Sequence, residues 1–151
     1  MRLATAARAA NLPGAALFGL TALLAGLAYL RTVAPGVFTL DSPELTAGAY
    51  SLGIVHSPGY PVYMLAGNLF LKIPLGDVGL RMNLLSALAA AAAAGIIALM
   101  VWWMTARRLA GVAAGLAFAL CFYVWSMAVI AEVYTFQALL LVGALALLWQ
   151  W

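Results

Sequence analysis

Four apolar stretches run through the chain, and one polar stretch separates the first from the rest. Residues 12–30, 84–104, 111–130 and 136–151 hold no Asp, Glu, Lys or Arg. Each approaches the roughly 20 apolar residues that a helix needs to cross a bilayer. They predict an all-α integral membrane protein with about four transmembrane helices. Residues 31–81 break that pattern, holding Pro35, Pro43, Pro58, Pro61 and Pro74, the acids Asp41, Glu44 and Asp77, and His56. Two short juxtamembrane helices are expected inside this segment. One begins at Asp41-Ser42-Pro43-Glu44, where an N-cap residue precedes Pro in the first turn. The other runs from Pro61 towards Leu71 and is apolar enough to lie in the interface. A loop of this length with its own helices is usually functional.

The first stretch admits a rival reading as a cleaved signal peptide, but its apolar core exceeds the roughly 7–15 residues of a signal h-region. A retained anchor is therefore expected. The domain plan is a cytoplasmic segment at 1–11 and one transmembrane domain over 12–151. The chain ends at Trp149-Gln150-Trp151 directly after an apolar run, so it reads as the N-terminal piece of a longer protein. Within the spans, Gly111 and Gly115 are spaced for close helix packing in lipid.

Composition sharpens the class. Hydrophobic residues make up 68% and charged residues 7%, with a mean hydropathy of +1.11. A soluble domain has roughly 25% charged residues, so this chain has too little polar surface to cover itself in water. The net charge of +3 is scattered, which removes any nucleic-acid footprint. Arg2, Arg8, Arg107 and Arg108 instead set orientation: after two crossings they share a side, and the positive-inside rule makes it cytoplasmic. The 31–81 loop and Glu132 then face outside together. Cys121, inside an apolar run, is expected to be a small buried hydrophobe, and Tyr29, Tyr123 and Trp125 to be interfacial anchors.

The candidate chemistry lies on that outer side. Asp41 and Glu44 stand three residues apart. They can form a capping box, Glu44 reaching back to the cap amide, or present a general base at the membrane surface. His56-Ser57-Pro58-Gly59-Tyr60-Pro61 is a stiff turn that either joins two helices or presents His56 and Tyr60 to a ligand. Glu132 is costly so close to hydrocarbon, so it is expected to be functional, with an ordinary interfacial carboxylate as the alternative. Arg81 and Asn83 open the second span, where a cation suits a lipid phosphate or simply snorkels to the headgroups. Tyr134 follows Glu132 and is taken with it as a binding residue. No metal set is evident, because one histidine with scattered acids is a poor ligand group; a divalent ion as cofactor is unsupported.

Taken in order, several strings resemble a known family. They are Tyr29-Leu30-Arg31-Thr32-Val33-Ala34-Pro35, Asp41-Ser42-Pro43-Glu44-Leu45, Ala49-Tyr50-Ser51-Leu52-Gly53-Ile54, His56 to Pro61, Arg81-Met82-Asn83-Leu84-Leu85-Ser86-Ala87, Trp125-Ser126, and Ala131-Glu132-Val133-Tyr134-Thr135. The chain resembles the N-terminal part of the DUF2723 membrane proteins, which are related to protein O-mannosyltransferases and the wider GT-C glycosyltransferases. Pro43 departs from the small residue expected between the two acids. The resemblance implies a GT-C-like N-terminal module in a bacterial inner membrane. It also implies a polyprenyl-phosphate sugar donor, mannose for preference, and a protein or glycan acceptor. Asp41, less favourably Glu44, would be the catalytic base, with His56, Tyr60, Arg81, Asn83, Glu132 and Tyr134 around the substrates.

Two other classes compete. A transporter subunit would carry its acids near the bilayer midplane, whereas these sit at span ends. A non-catalytic scaffold or truncated product would need no base at Asp41.

Overall fold

The computed structural model describes residues 11–151, with side chains from Gly14 onward, so the expected cytoplasmic segment with Arg2 and Arg8 lies outside the described residues except for Asn11. Among the described residues seven helices follow one another: α1 (Asn11–Leu30), α2 (Ser42–Ser51), α3 (Pro61–Leu71), α4 (Val78–Thr105), α5 (Arg108–Leu120), α6 (Phe122–Ala128) and α7 (Val133–Gln150). The described residues include no strand. By length and composition α4 and α7 can each cross a membrane, and α5 with α6 makes a third span if that bent pair is counted as one. The apolar α1 is described over fewer residues and stands as a shorter helix over Gly14–Leu30.

The molecule is apolar on the outside and small or polar within. Leu20, Leu23, Leu24, Leu27 and Leu30 of α1 and Leu140, Leu141, Leu145, Leu147 and Leu148 of α7 are exposed, while Thr21, Asn83, Ser86 and Glu132 are fully buried. A soluble monomer rarely leaves so continuous an apolar surface open. Lipid is the solvent that fits, and the all-α membrane class stands.

Helix α4 is the central post. Its buried stripe Ala87, Ala90, Ala91, Ala94 and Ala98 lets neighbours come close. Two glycines of α5 use that room: a Cβ on Gly111 would lie 2.5 Å from the Ala98 carbonyl oxygen, and one on Gly115 would lie 2.5 Å from that of Ala94. Without those side chains the backbones approach, which is how helices gain dispersion contact in lipid. The helix starts at Val78, six residues before the apolar pattern suggests, because Asp77 Oδ1 accepts the Gly79 N–H at 2.7 Å and caps it.

The expected third span is broken. Cys121 takes an extended conformation (φ −65°, ψ 144°), and α5 and α6 meet there at 65°. The break frees the Ala119 carbonyl, which accepts the Tyr29 hydroxyl at 2.8 Å, so a buried acceptor is not left orphaned. Two expectations are corrected at this joint. Tyr29 is fully buried rather than an interfacial anchor, because its ring fills the space beside α5 and its hydroxyl is needed there. Cys121 is exposed rather than buried, because the bend turns it outwards.

Between α1 and α4 the loop folds back as a helical hairpin. Leu45 and Ala49 of α2 and Tyr63, Met64 and Leu71 of α3 pack with Met82 of α4 and with Ala131 and Val133 before and within α7. Asn68 Nδ2 donates to the Ala49 carbonyl at 2.9 Å, closing the end of α2. The loop is therefore fixed to the helical bundle, against the segment that carries Glu132.

Candidate active site

Four ionisable side chains from three parts of the chain meet beside this hairpin. Asp41 precedes α2, Glu44 lies in its first turn, His56 opens the α2–α3 turn, and Glu132 stands immediately before α7. The sequence reading placed them on one membrane face, and the fold joins them directly. Asp41 N–H donates to Glu132 Oε1 at 3.3 Å across 91 residues. His56 Nδ1 pairs with Glu44 Oε2 at 2.8 Å, the His56 amide donates to Glu44 Oε1 at 2.7 Å, and His56 Nε2 lies 3.8 Å from Asp41 Oδ2.

The capping box does not form. Asp41 is in the right-handed helical region (φ −82°, ψ −5°) with no side-chain cap bond, and its amide is already held by Glu132. Glu44 therefore turns away to grip His56. Both acids are half-exposed, but Glu44 has both oxygens occupied, whereas the Asp41 carboxylate accepts no hydrogen bond among the described residues. Asp41 is the acid left open to a ligand. Two non-glycine residues with positive φ flank it and the histidine turn, Leu40 at 60° and Tyr60 at 42°. Such backbone costs on the order of 1–3 kcal/mol per residue and gathers at functional sites.

Glu132 has a contrasting environment. It is 1% exposed, and its Oε2 has no partner among the described residues. Burial pushes its carboxyl above the ordinary value; the Asp41 amide bond opposes that, the Asp41 carboxylate adds to it, and His56 opposes it. Glu44 moves the other way, held down first by the His56 side-chain bond and then by the His56 amide. His56 is raised, chiefly by its bond to Glu44. Neighbouring acids are thus driven apart in acidity, a pattern that separates roles at catalytic sites.

Ser86 is the residue that sequence reasoning did not single out. Its Oγ accepts the Glu132 N–H at 3.1 Å, donates to the Glu132 carbonyl at 3.1 Å, and lies 3.5 Å from the Tyr63 hydroxyl. One buried hydroxyl on α4 thus holds the backbone of the acid. A serine among Leu and Ala in a membrane helix was the available signal. Thr46 and Thr135 also carry buried hydroxyls without partners among the described residues.

The other expected residues divide. Tyr60 joins the cluster, its ring edge-on to His56 at 5.4 Å. Tyr134 stands beside Glu132 but is exposed and meets Tyr123 at 6.1 Å between ring centroids. Arg81 is not brought to the acids: its guanidinium donates to the carbonyls of Leu71, Leu75 and Gly76 at 2.7–2.9 Å, tying the end of α3 to α4. Asn83 is buried, and its amide clamps the Ala34 and Gly36 carbonyls at 2.8 Å. Both polar groups are absorbed by backbone acceptors in the preceding loops. No group of three or more metal-ligating side chains occurs among the described residues.

Fold and site together define a helical membrane protein with an acid–histidine cluster gathered beside a juxtamembrane hairpin. The chain belongs to the family described as the N-terminal domain of protein O-mannosyl-transferase TMEM260, whose model matches residues 41–151. It is 34% identical over 128 residues to the protein O-mannosyl-transferase TMEM260 of Mus musculus, an alignment covering 78% of this chain and 18% of that protein. The chain thus spans about a fifth of the length of that relative. No solved structure matches the chain.

Proposed function

We propose that this chain is the acid-bearing N-terminal module of a membrane glycosyltransferase. In this reading it moves a mannose from a polyprenyl-phosphate donor to an acceptor hydroxyl on the extracytoplasmic face, as a GT-C enzyme of the DUF2723 type. The observation that carries the proposal is the Asp41 carboxylate, which accepts no hydrogen bond among the described residues, is positioned through its own amide by buried Glu132 and lies 3.8 Å from His56 of the Glu44–His56 pair. Family membership and the name of the Mus musculus relative support the transferase class. The placement of Arg107 and Arg108 two crossings from the N-terminus supports the orientation.

The chemistry follows from the differing environments. Asp41 takes the proton of the acceptor hydroxyl as that oxygen attacks the anomeric carbon. The bond from the anomeric carbon to the phosphate oxygen breaks, and polyprenyl phosphate leaves with the electron pair. His56, raised by Glu44, supplies positive charge beside Asp41. Glu132, its carboxyl raised by burial, keeps Asp41 in register through the Asp41 amide. Carboxylates beside the anomeric carbon also suit an oxocarbenium-like transition state. Arg81 and Asn83 serve the frame of the site.

The test uses the full-length protein in lipid, given radiolabelled polyprenyl-phosphate mannose and an acceptor peptide or glycan. Label transfer is expected with this donor and not with a nucleotide sugar. Transfer from the nucleotide sugar alone would refute the donor class.

A further inference from the structure

We propose that the turn between α4 and α5, at the end of the bundle away from the acids, is a binding site for the phosphate of an acidic phospholipid. Arg107 and Arg108 are both exposed there and make no side-chain hydrogen bond or ion pair among the described residues. The chain has four acids, Asp41, Glu44, Asp77 and Glu132. Helix α4 separates them from the arginines: at about 1.5 Å rise per residue, its 28 residues put Asp77 some 40 Å away. Ser86, which holds Glu132, lies 19 residues before Thr105, about 28 Å on the same scale. No acid of this chain can therefore neutralise the pair.

Trp102, Ala106, Arg107, Arg108 and Leu109 border a shallow, open depression at the turn. The Arg108 guanidinium carbon stands 6.0 Å from the centre of the Trp102 ring, within cation–π range. Thr105 Oγ1 accepts the Arg107 amide at 3.2 Å, and Ala106 holds a left-handed conformation at φ 58°, so the two arginines leave a defined turn. Exposed Met104 and Leu109 beside them are lipid-facing side chains. Guanidinium groups suit a phosphate by shape as well as charge, and an indole at this depth suits the headgroup level. An acidic glycerophospholipid offers phosphate and acyl chains to the same place, which a soluble phosphate does not.

The experiment is native mass spectrometry of the full-length protein released from micelles containing equimolar phosphatidylglycerol and phosphatidylcholine. Bound phosphatidylglycerol is expected to dominate. Each basic residue near a membrane surface adds to its hold on an anionic lipid, so Arg107→Gln with Arg108→Gln is expected to lower its retention by about tenfold or more. The Lys pair at these positions should retain part of it, and so tests the site even where the Gln pair fails to fold. Thermal unfolding in neutral detergent reports folding for both variants. Equal retention of the two lipids by the parent protein would overturn the proposal, as would undiminished phosphatidylglycerol on a folded Gln variant. Displacement by millimolar inorganic phosphate would overturn the assignment to a lipid.

Discussion

Removing the Ser86 hydroxyl should loosen the site without touching any of its acids. Ser86→Ala leaves the buried Glu132 N–H and carbonyl unpaired and deprives the Tyr63 hydroxyl of its neighbour. A buried polar group stripped of its partner costs about 1–3 kcal/mol. Two backbone groups lose their bonds, and a water admitted to the space can recover part of the loss. The expected destabilisation is therefore about 2–4 kcal/mol, which is large against the roughly 5–15 kcal/mol of a folded domain. Equilibrium unfolding of the full-length protein in mixed detergent micelles measures it. Ser51→Ala is the control: its Oγ donates to the Ala47 carbonyl on an exposed face of α2, and a change within about 0.5 kcal/mol is expected. Because Glu132 holds the Asp41 amide, Ser86→Ala should also reduce sugar transfer in molecules that remain folded. A change below about 0.5 kcal/mol with normal transfer would refute the clamp.

Three further outcomes follow from other contacts. Gly115→Ala should destabilise the bundle by about 1–3 kcal/mol, since its Cβ would lie 2.5 Å from a carbonyl oxygen and 2.7 Å from Thr21 Cγ2, while Gly143→Ala, with nothing within 4 Å, should be tolerated in the same unfolding assay. The Glu44–His56 pair should protect the 52–60 turn over a bounded pH window. His56 is raised, so its contribution fades as pH climbs through that raised value; Glu44 is lowered, so its contribution fades as pH falls through the lowered one. Amide exchange of the turn against pH should show both limbs, and His56→Gln should flatten the upper one. Glu132→Gln keeps an oxygen for the Asp41 amide and should retain most transfer. Glu132→Ala, which frees that amide, should lose about a hundredfold in kcat, the scale of a misplaced reacting group; equal kcat for the two variants would contradict the positioning role.

Hydropathy reveals where helices lie in a chain like this but not which way they face. Lipid and neighbouring helices are both apolar, so Tyr29 and Cys121 could not be oriented from the pattern, and the bend at Cys121 left no polar mark. The same ambiguity hid the start of α4. Arg81 and Asn83 read as the opening of the second span, facing headgroups, yet both lie inside the helix with their side chains turned onto loop carbonyls. The gathering of Asp41, Glu44, His56 and Glu132 was legible as a shared membrane face, because topology alone fixes that. Their pairings were not. Local spacing favoured Glu44 on the Asp41 amide, but the hairpin brings His56 within 2.8 Å of Glu44 and leaves that amide to Glu132. Ser86 was hidden for the same reason: its role depends on a partner 46 residues away.

The claim that matters most is that Asp41 is the base. Its direct test is the rate of sugar transfer by Asp41→Asn in the full-length protein, with unfolding measured on the same preparation. Asparagine preserves the shape and the backbone amide that Glu132 holds, but cannot take a proton. The expected kcat is lower by about 10²–10⁴-fold, with unchanged stability. Transfer at the parental rate by a folded Asp41→Asn protein would contradict it.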